Sequence, residues 1–342
     1  MSNLETAPDE VRCDDAGGLA GPEVLEPRDV PLGGVRAMTV RRTLPQRKRS
    51  FIGAWCFLDH YGPDDVSVTG GMRVPPHPHT GLQTVSWLFS GEVEHRDSLG
   101  THATVRPGEL NLMTAGRGIS HSEDSTPATT VLHGVQLWTV LPERVRDAAP
   151  AFEHFVPPVV LLEDGVLRVF LGSLEGSRSP VPTFSPLLGA ELVLGGGSEH
   201  TFAVDPSFEH GILVDTGAVT VSIDVPGATA RGARAELVYL PPGATTLTVS
   251  ADDGGDVRVL LLGGLPLHEQ IVMWWNFIGR DHRDVAAARD QWQAEIGADD
   301  APAGPDGAPR GSDASRFGRV TGHPHPPLPA PPMPHETLKP RG

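Results

Sequence analysis

Two tripeptides constrain the fold more than any other feature of the 342-residue chain: His77-Pro78-His79 and His121-Ser122-Glu123. On a β-strand, residues i and i+2 point to the same face, so each tripeptide presents two ligand groups side by side. A helix would separate them, and Pro78 disfavours a helix in any case. If the two strands are neighbours, three imidazoles and one carboxylate converge, a set suited to a divalent ion such as Fe, Zn, Ni or Cu. On an octahedral ion such a set leaves positions open for water, oxygen or substrate.

The residues between the tripeptides predict strands and turns. Val85, Trp87 and Phe89 alternate with Thr84, Ser86 and Leu88, and turns follow at Ser90-Gly91, Leu99-Gly100 and Pro107-Gly108. Residues 131–141 read as the strand that closes a barrel. A chain with 39% hydrophobic residues, 40 Gly and 34 Pro favours turn-rich β structure over helix. A formal charge of −16 argues against a nucleic-acid partner, which needs Lys and Arg to neutralise phosphates. The local basic cluster Arg41, Arg42, Arg47, Lys48 and Arg49 reads as a solvated strand edge. Two cysteines, Cys13 and Cys56, exclude a disulfide framework. No apolar leader and no run of about 18 apolar residues is visible, so the expectation is a soluble, cytoplasmic protein without membrane contact.

The length allows two domains. Residues 1–22 read as a disordered tail, 23–145 as an N-terminal metal-binding domain and 146–189 as connecting strands. Residues 190–296 read as a second barrel, with Pro241-Pro242-Gly243 as a turn. Its His200 and His210 stand alone, so this barrel is expected to lack metal. Residues 283–296 have helical periodicity, with Asp281 or Asp284 as the cap. The Pro-rich stretch 297–342 reads as a disordered tail, and its His323-Pro324-His325 as a surface decoy. Both tails are expected to be dispensable for metal content. His60 is assigned to core or rim. His95, His102, His133 and His154 are assigned to structure or surface, for want of a ligand at i+2.

Gly71, five residues, His77-x-His79, then the Pro107-Gly108 turn and His121, is the pattern of the cupin barrel. The resemblance extends over His77–Val85, Gly91–Ser98 and Met113–Glu123, with Phe57–Pro63 and His133–Trp138 on either side, to the pirin family of bicupins. That resemblance implies an all-β chain of two cupin (double-stranded β-helix, or jelly-roll) barrels in tandem with a short C-terminal helix. It implies one divalent metal per chain on His77, His79, His121 and Glu123, Fe(II) being expected and Ni, Mn, Co, Cu or Zn compatible. Gln83 stands where other cupins carry a ligating glutamate and is not a ligand in pirins. The implied activity is that of a quercetin 2,3-dioxygenase-like oxidoreductase, cleaving a flavonol or related enol with O2, with Glu123 also as catalytic base. The competing implication is a metal-dependent regulatory module that contacts a protein partner without physiological catalysis.

Overall fold

Strands dominate from Glu23 to Gly279, broken only by the short helical turns Val66–Thr69 and Glu143–Val145 among the described residues, and the helix His282–Ile296 comes after them. The computed structural model describes residues 21–32, 38–225, 227–298, 315–340 and 342. In the first domain a seven-stranded antiparallel sheet runs in the order Arg28–Leu32, Met38–Leu44, Trp55–Asp65, Val131–Val140, Leu82–Ser90, Leu110–Thr114, Ala151–Phe155. A four-stranded sheet, Arg73–His79, Ile119–Ser125, Val93–Asp97, His102–Val105, completes it. The second domain repeats the plan. Its larger sheet runs Val160–Leu161, Gly165–Leu171, Leu187–Leu194, Val257–Gly264, Glu209–Thr216, Leu237–Leu240, Glu23–Leu25. Its smaller one runs Glu199–Ala203, Thr246–Ala251, Ala218–Ile223, Thr229–Ala233. These are the expected tandem cupin barrels, all-β with a short C-terminal helix.

The two large sheets pack back to back. In Val257–Gly264, Val257, Val259 and Leu261 point into the core of their own barrel, while Leu260 and Leu262 join a core shared with Trp55, Trp87 and Leu137 of the first domain. A strand buried on both faces reads as a continuous apolar run rather than an alternation. Polar groups cross the same plane in a few places: Trp87 Nε1 donates to Glu191 Oε2 at 2.7 Å, and Gly53 N to Glu209 Oε2 at 2.6 Å.

The domain limits differ from those expected. Glu23–Leu25, assigned to the first domain, pairs with Leu237–Leu240 of the second. Of the connecting strands in 146–189, Ala151–Phe155 pairs with Leu110–Thr114 of the first domain, and Gly165–Leu171 with Leu187–Leu194 of the second. Short edge strands pair with whichever edge is open, and their own sequence does not record which. Asp281 is the helix cap, accepting from Asp284 N at 3.0 Å, and Val285, Ala288 and Trp292 are buried. Cys56 is free and buried; Cys13 lies outside the described residues, as do residues 1–20 of the expected N-terminal tail. No helix among the described residues is long and apolar enough to cross a membrane.

A buried polar knot ties the domains. Asp215 Oδ1 accepts from His60 Nε2 at 2.7 Å and lies 2.6 Å from His133 Nε2, while Arg258 and Thr216 hold Oδ2 at 3.1 and 3.0 Å. Burial alone would raise the Asp215 carboxyl, but hydrogen bonds from His133 and His60 more than offset it and hold it below its ordinary range. The knot's stabilisation is therefore present above the ordinary carboxylate range and is lost as the pH falls through the lower folded value. Asp215→Ala leaves His60, His133 and Arg258 without their common acceptor. It is expected to cost about 3 kcal/mol, read as a lower denaturant midpoint at pH 7, with a smaller difference from wild type in acid.

Candidate metal centre

The strands Arg73–His79 and Ile119–Ser125 are antiparallel neighbours, with His77 directly opposite His121 and His79 opposite Ile119. The register then slips: Glu123 faces Val74, so Arg73–His79 carries one extra residue around Pro75-Pro76. Proline, which has no N–H to give to the ladder, suits such a bulge. The bulge also turns the Pro75 carbonyl toward His77, whose Nδ1–H donates to it at 2.8 Å. That bond fixes the tautomer and leaves the lone pair on Nε2, which is buried and has no partner.

His79 and His121 complete the cluster. Their Nε2 atoms lie 3.1 Å apart, and ring centroids are 4.3 Å apart for His77–His121 and 5.0 Å for His77–His79. All three rings are fully buried. Burial pushes His77 down to about 3 and holds His79 and His121 well below the ordinary imidazole range. The three are therefore neutral at physiological pH, the state in which imidazole binds a metal. Buried, neutral nitrogens facing one another, one of them without any hydrogen bond, fit a cation far better than they fit each other.

Glu123 is buried on the same strand and accepts from Ser86 Oγ at 3.2 Å; Ser86 Oγ is also 2.9 Å from Gln136 Oε1. Two ligand-competent groups share His121: His77, His79 and His121, and His95, His121 and Glu123. Of the four residues expected from the tripeptides, His77, His79 and His121 form one group, and Glu123 stands with His95 and His121 in the other. His95 was assigned to structure or surface for want of a ligand at i+2, which overlooked Asp97. His95 Nε2 lies 3.2 Å from Asp97 Oδ2 and its Nδ1 3.4 Å from His121 Nδ1. The His95-x-Asp97 spacing on a strand was the available signal. Gln83 belongs to neither group; its amide is taken up by Thr114 and Thr139.

A third group, His60, His133 and Asp215, is the knot described above. His60 Nδ1 is buried without a partner. A ligating imidazole nearly always donates its second N–H, and Arg258 already supplies positive charge there, so the knot is complete without an ion.

The outer face of the ligand strands is covered by the C-terminal segment. Ser120 N donates to Phe317 O at 2.9 Å, Ser120 Oγ to Gly318 O at 3.0 Å, and Leu328 N to Pro76 O at 2.8 Å. His323 Nε2 lies 2.8 Å from Asp124 Oδ2 and its side chain is buried. Residues 315–340 therefore form an ordered strap without helix or strand, in place of the disordered tail expected there; 299–314 lie outside the described residues. Backbone hydrogen bonds and a few apolar anchors such as Phe317 hold it, and neither leaves a periodic trace in a Pro-rich sequence. Of the expected surface decoy, His325 is exposed but His323 is buried against Asp124; among the described residues neither enters a ligand-competent group. Gly118 and Gly116 mark tight packing beside the ligand strand. A Cβ on Gly118 would stand 2.8 Å from Arg316 Cγ, and one on Gly116 1.9 Å from Ala148 O.

Models of two families match the chain: Pirin over residues 35–139, and the pirin C-terminal cupin domain over residues 189–296. The chain belongs to the pirin family. A Pseudomonas aeruginosa protein, named as a candidate quercetin 2,3-dioxygenase, is 41% identical over 98% of both chains. A pirin-like protein of Caulobacter vibrioides is 33% identical over 75% of this chain and 88% of its own. Among solved structures, a quercetin 2,3-dioxygenase of Acinetobacter baumannii covers 92% of this pirin and 97% of itself, at 34% identity and a TM-score of 0.80.

The strap yields a prediction that reverses the one drawn from composition. A chain ending at residue 314 exposes the outer face of both ligand strands. It is expected to lose bound divalent metal faster to a chelator and to unfold at a lower temperature than the full chain; equal loss rates would show that the strap is passive.

Proposed function

We propose that this pirin is a mononuclear, metal-dependent dioxygenase that cleaves a flavonol such as quercetin, or a related enol, with O2. The observation that carries the proposal is the orphaned His77 Nε2, aimed at the same buried point as His79 and His121. In this reading His77, His79, His121 and Glu123 hold one divalent ion, Fe(II) being the ion that suits the chemistry. The name carried by the 41% identical relative supports the reaction class. A bound cation would supply Lewis acidity toward an enolate oxygen and a one-electron path to dioxygen.

The chain's own residues supply the rest. The Pro75 carbonyl orients His77, and the T-shaped contact of His79 with Trp138, at 5.2 Å, keeps that ring from turning. The ligand residues are no more than 2% exposed, so bulk water is excluded and charges act at low dielectric. In this reading Glu123 takes the proton from the substrate hydroxyl. The hydroxyl of Ser86 carries a single proton, which it gives to Glu123 when the Gln136 amide is turned to donate to Ser86; the Gln136–Ser86 pair thus tunes how strongly Glu123 holds a proton.

The test separates binding from proton transfer. Oxygen uptake on a panel of flavonols is measured per bound iron. His121→Ala is expected to strip metal and activity together. Glu123→Gln is expected to keep part of the metal and to fall by roughly a hundredfold to ten-thousandfold per iron. Wild-type activity per iron in Glu123→Gln would remove Glu123 as the base, and no oxygen uptake by iron-loaded wild type on any flavonol would overturn the assigned reaction.

A further inference from the structure

A ring that gives one nitrogen to a metal must place its second nitrogen somewhere, and that partner fixes the tautomer. For His77 the partner is the Pro75 carbonyl, in its own strand. For His121 it comes from the neighbouring strand Val93–Asp97. There Asp97 lies directly opposite His121, and His95 directly opposite Glu123. Opposed residues, and residues two apart, share a face of a sheet. The four side chains therefore form one square, and all four residues are buried.

The contacts leave one way to distribute the protons around a bound ion. Asp97 Oδ1 accepts from Leu99 N at 2.9 Å and from Thr101 N at 3.0 Å, so the carboxylate is anchored by the turn that follows it. Its Oδ2 lies 3.2 Å from His95 Nε2 and, as a carboxylate oxygen, can only accept. His95 Nε2 is then a donor. His95 Nδ1 lies 3.4 Å from His121 Nδ1, and of two nitrogens that meet in a hydrogen bond one must donate and the other accept. The far nitrogen of His121, Nε2, is 3.1 Å from His79 Nε2, on the side of the three-imidazole group. An ion on Nε2 takes its lone pair, so the proton sits on Nδ1 and donates to His95 Nδ1. Phe152 packs on the His95 ring, with 4.8 Å between centroids and 31° between planes, and hinders its rotation.

We propose that His95 and Asp97 are positioning residues for the metal: a chain from the turn amides through Asp97 and His95 holds His121 in the tautomer that presents Nε2 to a divalent ion. Without the chain, either nitrogen of His121 can carry the proton, and the form protonated on Nε2 has no lone pair to give. In this arrangement His95 acts through His121 and is not itself a ligand. The inference rests on the metal reading of His77, His79 and His121, and not on the reaction assigned to that metal.

The probe is Co(II), whose visible absorption reports its ligands, titrated at one neutral pH into the full chain against a competing chelator. Wild type is expected to bind one ion per chain. Asp97→Asn keeps an oxygen for the amides of Leu99 and Thr101 but turns an NH2 toward His95, which reverses each donor in the chain and puts the His121 proton on Nε2. It is expected to bind Co(II) roughly tenfold to a hundredfold more weakly, with the melting temperature of the metal-free chain unchanged. His95→Phe is expected to weaken binding to a similar degree. His95→Gln, whose amide can accept from His121 and donate to Asp97, is expected to recover most of that loss. The visible bands of all three saturated variants are expected at the wild-type positions, since no ligand has been removed. Wild-type affinity in Asp97→Asn would overturn the inference and leave the metal site standing. A lowered melting temperature in Asp97→Asn, with no recovery in His95→Gln, would reduce the pair to a structural role. Shifted bands in His95→Phe, or a second Co(II) in wild type that His95→Phe removes, would make His95 a ligand and overturn the inference as well. No Co(II) bound by wild type would overturn the metal reading itself, and the inference with it.

Discussion

The back-to-back packing of two seven-stranded sheets is the constraint from which the rest of this pirin follows. Each large sheet is buried on both faces, once by its own barrel and once by its twin. Neither domain therefore presents a stable outer surface by itself. The interface absorbs large groups, Trp55, Trp87 and Phe170 among them, and the carboxylates buried there need partners. Asp215, Glu191 and Glu209 are so satisfied, each by donors from the opposite domain. The chain also crosses between barrels at both ends: Glu23–Leu25 completes the second sheet before the first has begun, and Ala151–Phe155 completes the first on the way out.

With one face of the first barrel committed to its twin, the ligand strands lie on the other side, in the small sheet. An exposed four-stranded sheet carrying three neutral imidazoles would let water compete for every ring nitrogen. The strap of residues 315–340 and the segment around Phe277, which bridges to Thr80, close that side. The second barrel shows what the same strands do without this duty. Its facing pair Phe202 and Leu247, and Val249, fill the interior with hydrocarbon. The duplicated scaffold brings three buried imidazoles together in one copy and fills the other with an apolar core.

Some features were legible because the chemistry is local. The alternation of Val85, Trp87 and Phe89, the i, i+2 ligand tripeptides and the 283–296 periodicity each describe a single element, and the structure has those elements. The contact of His95 with Asp97, two residues on, was legible too. The partnership of His60, His133 and Asp215 could not be read, since 155 positions separate His60 from Asp215. The ordered strap was also out of reach. Its composition is that of an unfolded chain, and its order comes from main-chain and side-chain hydrogen bonds to strands far earlier in the chain.

The sequence by itself determined that His77 and His79, and His121 and Glu123, sit in pairs on strands, and that the chain is built from two similar barrels. Side-chain type and a period of two residues are properties of a short stretch, and no distant contact can reverse them. The tertiary structure alone decided which edge each short strand joins, which imidazole nitrogen is left bare, and what covers the ligand strands. Those outcomes depend on the burial of groups far apart in the chain, and burial is a property of the assembled molecule rather than of any segment in it.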